Sequence, residues 1–268
     1  MTQYDEVAEA YEARVVPKFR AIAERLVGSA DIRPGDAALE IAAGTGGLSR
    51  LVVRRLASTG SLVLSDISPG MLAVAERVVA DAPPGEGGMP SIRTQVADLG
   101  ALPFDDGSFD LVLGQMTPVL DSERGIAETF RVLRPSGRLA LATWGATYQE
   151  NRILNGARAV VGVEPYPRPE LRQFAPRLRR AGYVDVHQRT QPMTVVHDDV
   201  RSYLAYRLGF GQVGWTQESV DAYLAALSTA AAAATSRDGR LRLGWSITIV
   251  TAVKPIRSTE SSSPGRGG

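Results

Sequence analysis

The chain has 268 residues, a formal net charge of +1, and 44% hydrophobic against 22% charged residues. That balance provides for one large α/β core and gives no electrostatic basis for a nucleic-acid or anionic-membrane partner. Zero cysteine removes disulfides, thiolate metal sites and a cysteine nucleophile together, and two histidines leave little for a metal centre, so no metal site is expected. No apolar run reaches the length of a membrane span, and the acidic start MTQYDEVAEAYEAR has no apolar leader core, so a cytoplasmic protein is expected.

Residues 5–28 read as helical, with a break near Pro17. An apolar strand is expected at 37–42, entered through Arg33-Pro34-Gly35-Asp36. The glycine-rich stretch 44–47 follows, then an amphipathic helix with Leu48, Leu51, Val52 and Leu56 on one face. A second strand falls at 61–65; Asp66 ends it, and Ser68-Pro69 opens the next helix with a capping serine before a first-turn proline. Strands at 91–96, 109–113 and 138–143, with a helix at 121–133, continue the alternation that marks a parallel sheet with crossover helices. Beyond 145 the pattern loosens: helices at 149–162, up to Arg180, at 199–208 and at 217–234, a strand at 183–196, and a long final strand at 241–253. The Ser/Gly/Pro-rich tail 258–268 is expected to be disordered. One domain over 1–257 results, with a binding core at about 36–145 and an inserted helical cap at about 146–235.

The chemistry concentrates at the ends of the early strands. Leu39-Glu40-Ile41-Ala42-Ala43-Gly44-Thr45-Gly46-Gly47 runs from a strand through a glycine-rich turn into a helix N-terminus, where a ligand approaches bare backbone amides. Such a loop serves a dinucleotide or another adenosine compound. Asp66, twenty residues past Gly46, is placed to accept both ribose hydroxyls. Asp98-Leu99, after the third strand, faces the same crevice, with the acid placed for an adenine amino group and Leu99 covering the ring.

Four blocks in order resemble class I S-adenosylmethionine-dependent methyltransferases, closest to the subgroup of ubiquinone/menaquinone-biosynthesis C-methyltransferases. They are Glu40-x-Ala42-x-Gly44-x-Gly46; Asp66-Ile67-Ser68-Pro69-Gly70-Met71-Leu72; Asp98-Leu99 through Phe109-Asp110-Leu111-Val112; and Glu128 with Arg131-Val132-Leu133-Arg134-Pro135-Ser136-Gly137. The resemblance implies a doubly wound, seven-stranded, mostly parallel Rossmann-like sheet with N-terminal helices and an antiparallel last strand. It also implies S-adenosyl-L-methionine as cofactor and a small-molecule methyl acceptor, modified at O, C or N. By the same resemblance Glu40 fixes the loop, Gly44 and Gly46 line the methionine moiety, and Asp66 holds the ribose. Ile67 and Leu99 sandwich adenine or simply pack in the core, Asp98 binds its amino group, and backbone near Gln115 completes the site. Ala42 departs from the family's first glycine; a methyl that needs no positive φ is expected there.

Outside these blocks, Tyr4, Tyr11 and Trp144 are candidate aromatic walls. Tyr148, Tyr166, Tyr203, Tyr206, Phe210 and Trp215 either line an acceptor pocket or pack helices onto the sheet, and Gly209, Gly211 and Gly214 would loosen a lid. His187 reads as a surface residue on a strand, whereas His197, just before a helix, is the candidate general base. Three other readings stay open: an NAD(P)-dependent oxidoreductase, a methyltransferase-fold cyclase that binds the cofactor without methyl transfer, and a non-catalytic binding protein.

Overall fold

The computed structural model describes residues 4–148, 150–165, 173–210 and 216–256. Tyr166, Gly211, Gly214, Trp215 and the tail 258–268 lie outside the described residues, as does the side chain of Tyr148. Among the described residues there are seven strands: β1 (Ala37–Ile41), β2 (Ser61–Asp66), β3 (Ser91–Val96), β4 (Phe109–Gln115), β5 (Leu133–Tyr148), β6 (Val184–His197) and β7 (Leu241–Val253). They form one sheet in the order β3-β2-β1-β4-β5-β7-β6. β1 pairs parallel with both β2 and β4, and β7 runs antiparallel to β5 and β6, as the resemblance implied. Strand order reverses between β1 and β4, and open α/β sheets bind ligands at such a reversal.

The central strands are apolar on both faces, so alternate residues feed two separate cores. Leu62, Leu64, Leu111 and Leu113 join one; Val63, Val112, Leu39 and Ile41 join the other. The first face is covered by α2 (Val16–Ser29), α3 (Ser49–Leu56), α6 (Glu150–Val160), α8 (Val200–Leu208) and α9 (Gln217–Ala233). The second is covered by α5 (Glu123–Val132) and α7 (Phe174–Arg180). α4 (Pro69–Ala80) also packs into the first core through Leu72, Ala75 and Val79, and it meets α1 (Ala8–Arg14) around Ala8, Met71 and Val74. No helix of the described residues is long and apolar enough to cross a membrane.

Three boundaries differ from the sequence reading. The break between α1 and α2 falls at Val15, and Pro17 sits in the first turn of α2, where its missing N–H costs nothing. The helix expected at 121–133 divides into a 3-10 turn, Pro118–Asp121, and α5, each with its own cap: Thr117 accepts from the Val119 amide and Ser122 from the Gly125 amide. β5 begins at Leu133 and not at 138, because Leu133 pairs with Phe109 and the Ser136 amide finds the Lys254 carbonyl at 2.8 Å.

The helices after residue 145 are built into the first core. Tyr203, Tyr206 and Leu227 are buried in the same cluster as Ile22 and Trp245. Their apolar contribution therefore belongs to the stability of the whole sheet face.

Candidate functional site

The glycine-rich loop leaves β1 in a left-handed run. Ala42 (φ +50°), Gly44 (φ +54°) and Gly46 (φ +83°) all sit at positive φ. The expectation that Ala42 needs no positive φ is thus corrected: its methyl is carried in a conformation that costs an L-residue about 1–2 kcal/mol. Met116, the residue after β4, is likewise held at φ +55°, with its amide donating to the Ala142 carbonyl at 2.7 Å. Both strained residues line one cavity, and strain retained at a cavity wall marks a functional site.

That cavity has a volume of about 690 Å³ and lies over the carboxyl ends of β1, β2 and β4. Ala42, Gly44, Asp66, Ile67, Asp98, Leu99 and Gln115, all singled out in the sequence, line it together. Ile67 is 55% exposed, so it is a cavity wall and not a core residue. Leu99 is partly buried against the second core and also reaches the cavity. The opposite end is aromatic: Tyr11, Phe19, Trp144 and Phe210 surround it, with Phe19 edge-on to Trp144 at 5.8 Å and Tyr11 edge-on to Phe210 at 5.7 Å. Burial, with Tyr4, Asp66 and Glu12 nearby, raises the Tyr11 hydroxyl far above its ordinary value, so this wall is uncharged.

Asp66 is fixed by backbone. Its Oδ2 accepts the Gly44 amide at 2.9 Å and its Oδ1 accepts the Ser68 amide at 2.9 Å. Burial pushes its carboxyl up, these amides pull it back, and Asp5 pushes it up again. Ser68, not Asp66, caps α4, accepting from the Met71 amide at 3.1 Å. Asp98 accepts the Gly100 amide at 2.8 Å, which folds the turn after β3 so that the acid reaches the cavity. Gln115 donates through Nε2 to the Phe19 carbonyl at 3.2 Å, while its buried Oε1 has no hydrogen-bond partner. An orphaned acceptor on a cavity wall is a site for a ligand donor.

A second cavity of about 730 Å³ adjoins the first and shares Tyr11, Phe19, Ala42, Gly44 and Gln115 with it. Glu40 lines this lobe; it is 2% exposed, and its Oε2 accepts from Ser49 Oγ at 2.7 Å, tying the loop to the first turn of α3. Burial pushes the Glu40 carboxyl up to about 8, against the pull of Ser49 and with the added push of Asp66. Glu12 of α1 accepts from Thr45 Oγ1 at 2.6 Å and pairs with Arg50, so the N-terminal helix is latched onto the loop. Nothing in the sequence marks Glu12: its partners lie 33 and 38 positions away.

Two sequence assignments need correction. Gly46 lines neither cavity. A Cβ there would meet Val79 at 3.2 Å and Ala75 at 3.4 Å, so Gly46 lets the loop lie against α4. His197 also lines neither cavity. It is the last residue of β6, fully buried, with both ring nitrogens unpartnered and its ring packed on Tyr203 and Tyr206 at 5.1 Å each. Burial, then Lys18 and Arg207, push it down to about 4. A base must come within hydrogen-bond reach of the proton it takes, and His197 is packed into the core instead.

Residues 38–137 match a family model described as a methyltransferase domain. Over 141 residues the chain is 35% identical to a demethylmenaquinone methyltransferase of Symbiobacterium thermophilum, covering 50% of this chain and 55% of that protein. A phosphoethanolamine N-methyltransferase 2 of Haemonchus contortus, solved with S-adenosylhomocysteine, superposes with a TM-score of 0.58 at 19% identity, over 94% of this chain and 58% of that one. The cyclase SpnF superposes with a TM-score of 0.53 at 20% identity, over 88% of this chain and 82% of that one. The matched part spans about half the length of the curated relative. Residues 38–137 thus match a methyltransferase domain, and the chain has the fold of the solved methyltransferase on which it superposes.

Proposed function

We propose that this protein is an S-adenosylmethionine-dependent methyltransferase acting on a small organic molecule at O, C or N, in specialised or quinone-like metabolism. The observation that carries the reading is the convergence, in one cavity, of the Asp66-braced Gly44 amide with Asp98, Ile67 and Leu99. In this reading Asp66 accepts the two ribose hydroxyls with the lone pairs its amide contacts leave free. Asp98 takes the adenine amino group between Ile67 and Leu99. The left-handed backbone at Ala42 and Gly44 faces the methionine moiety, and a Cβ at Gly44 would meet nothing within 4 Å, so the loop is open there. When bound, the cofactor supplies a methyl group activated for in-line displacement. The chain supplies alignment and exclusion of water, for which the aromatic end formed by Phe19, Trp144 and Phe210 is suited. Identity to a quinone-biosynthesis enzyme over half its length supports a hydroxylated aromatic ring among the acceptors to try.

The test supplies S-adenosylmethionine carrying a deuterated methyl group to the protein with hydroxylated aromatics, quinols and amines. Labelled product should accumulate in step with S-adenosylhomocysteine. A product of unchanged mass, formed without S-adenosylhomocysteine, would instead place the protein with cofactor-binding cyclases.

A further inference from the structure

Glu40 is a buried acid at the wall of the cavity that adjoins the candidate cofactor site, with only a neutral hydrogen-bond partner. Ser49 Oγ is the hydrogen-bond donor to its side chain, and the residue is 2% exposed. The groups facing it do not offset its charge. From the end of β2 comes Asp66, a second acid. From α1 come Tyr11, uncharged, and Glu12, which takes up the cation of Arg50 on α3. Arg20 of α2, on the same cavity wall, is turned to Glu24, and Arg54 of α3 and Asp81, just past α4, also border this cavity without an ion pair to Glu40 among the described residues. Among the described residues no ion pair includes Glu40, although it borders a cavity that shares the walls Ala42, Gly44 and Gln115 with the candidate cofactor site. An ionised carboxylate removed from water with one hydroxyl donor is strongly disfavoured, so the acid form prevails until a cation arrives.

We infer that Glu40 is the proton-exchange residue of this site: it holds a proton in the empty pocket and releases it to solvent when a positively charged methyl donor binds. The inference rests on the methyltransferase reading above. The balance is simple: the carboxylic O–H breaks, the proton goes to buffer, and the carboxylate left behind offsets the ligand's positive charge. Binding would then favour a cationic ligand over a neutral one with the same nucleoside, and it would strengthen as pH rises.

The experiment is titration calorimetry of the full chain at pH 7, in buffers of different ionisation enthalpy. The two ligands are S-adenosylmethionine and 5′-methylthioadenosine, the latter carrying the same nucleoside and sulfur without a cation. Both meet Asp66 in the same way, so any proton that Asp66 exchanges cancels between them. With the Glu40 carboxyl at about 8 in the free protein, S-adenosylmethionine should release about nine-tenths of a proton more than methylthioadenosine. Its affinity should also rise by about 50-fold between pH 6 and pH 8, while that of the neutral ligand moves far less. In E40Q the extra proton should vanish, and the affinity for S-adenosylmethionine should fall towards the low-pH value and lose its rise with pH; if that variant does not fold, the comparison of ligands on the wild type decides alone. Equal proton release for the two ligands, or release that survives in E40Q, overturns the inference. Failure of both ligands to bind overturns the functional reading, and the inference with it.

Discussion

Asp66 Oδ2 accepts the amide of Gly44, twenty-two positions earlier, at 2.9 Å. The acid that ends β2 therefore shapes the loop that leaves β1, and the residue assigned to the ribose also presets the loop assigned to the methionine. Asp66→Ala should weaken S-adenosylhomocysteine binding by about 1.5–3 kcal/mol, the range for paired hydrogen bonds to a charged acceptor. Calorimetry giving an unchanged affinity would remove the ribose role.

Asp98 lines the same cavity, and the proposed role gives it a single contact, to the adenine amino group. Asp98→Ala should cost about 0.5–1.5 kcal/mol of S-adenosylhomocysteine affinity, less than the loss at Asp66. An equal or larger loss in the same titration would mean that the two acids have been given each other's weight.

Ala42 holds φ +50° with a methyl group attached. Ala42→Gly should relieve left-handed strain of about 1–2 kcal/mol and lose part of that to the freer unfolded chain, for a net gain of up to about 1 kcal/mol. Urea unfolding should show a higher midpoint with an unchanged slope. A lower midpoint would mean that the methyl packs well enough to outweigh its strain.

How far the sequence spoke depended on the range of the interaction concerned. The serial strand–helix alternation from β1 to β5, and the cap at Ser68, are local patterns, and the structure has them in place. Asp66 and Asp98 were readable because each follows a strand signal, Asp66 as the last residue of β2 and Asp98 in the turn after β3. The early start of β5 was not readable: Pro135-Ser136-Gly137 reads as a break, and only pairing with Phe109 and Lys254 draws it into the sheet. The latch from Glu12 to Thr45 and Arg50 was hidden for the same reason. Ala42 carried no sign of its positive φ, since alanine gives none of the signal that glycine does. His197 looked reactive beside a helix start because sequence does not tell a buried strand end from an exposed one.

The burial of His197 has a consequence for stability. Its ring is pushed down to about 4 from an ordinary value of 6.5, so unfolding at lower pH lets it take up a proton. The stability it contributes is complete above pH 6.5 and is lost as pH falls towards 4, by about 3 kcal/mol over the window. His197→Leu should flatten that part of the curve of unfolding free energy against pH, and should change turnover by less than tenfold. An unflattened curve contradicts the burial, and a turnover loss of about 10²-fold or more, with folding intact, restores the general-base role.

Titration of the wild-type protein with S-adenosylhomocysteine, NAD and NADP, followed by calorimetry, separates a methyl-donor site from a dinucleotide site most directly. Saturable one-to-one binding of S-adenosylhomocysteine, with no binding heat from either dinucleotide, is the expected result. Saturable binding of a dinucleotide with no heat from S-adenosylhomocysteine would contradict the methyltransferase reading at its root.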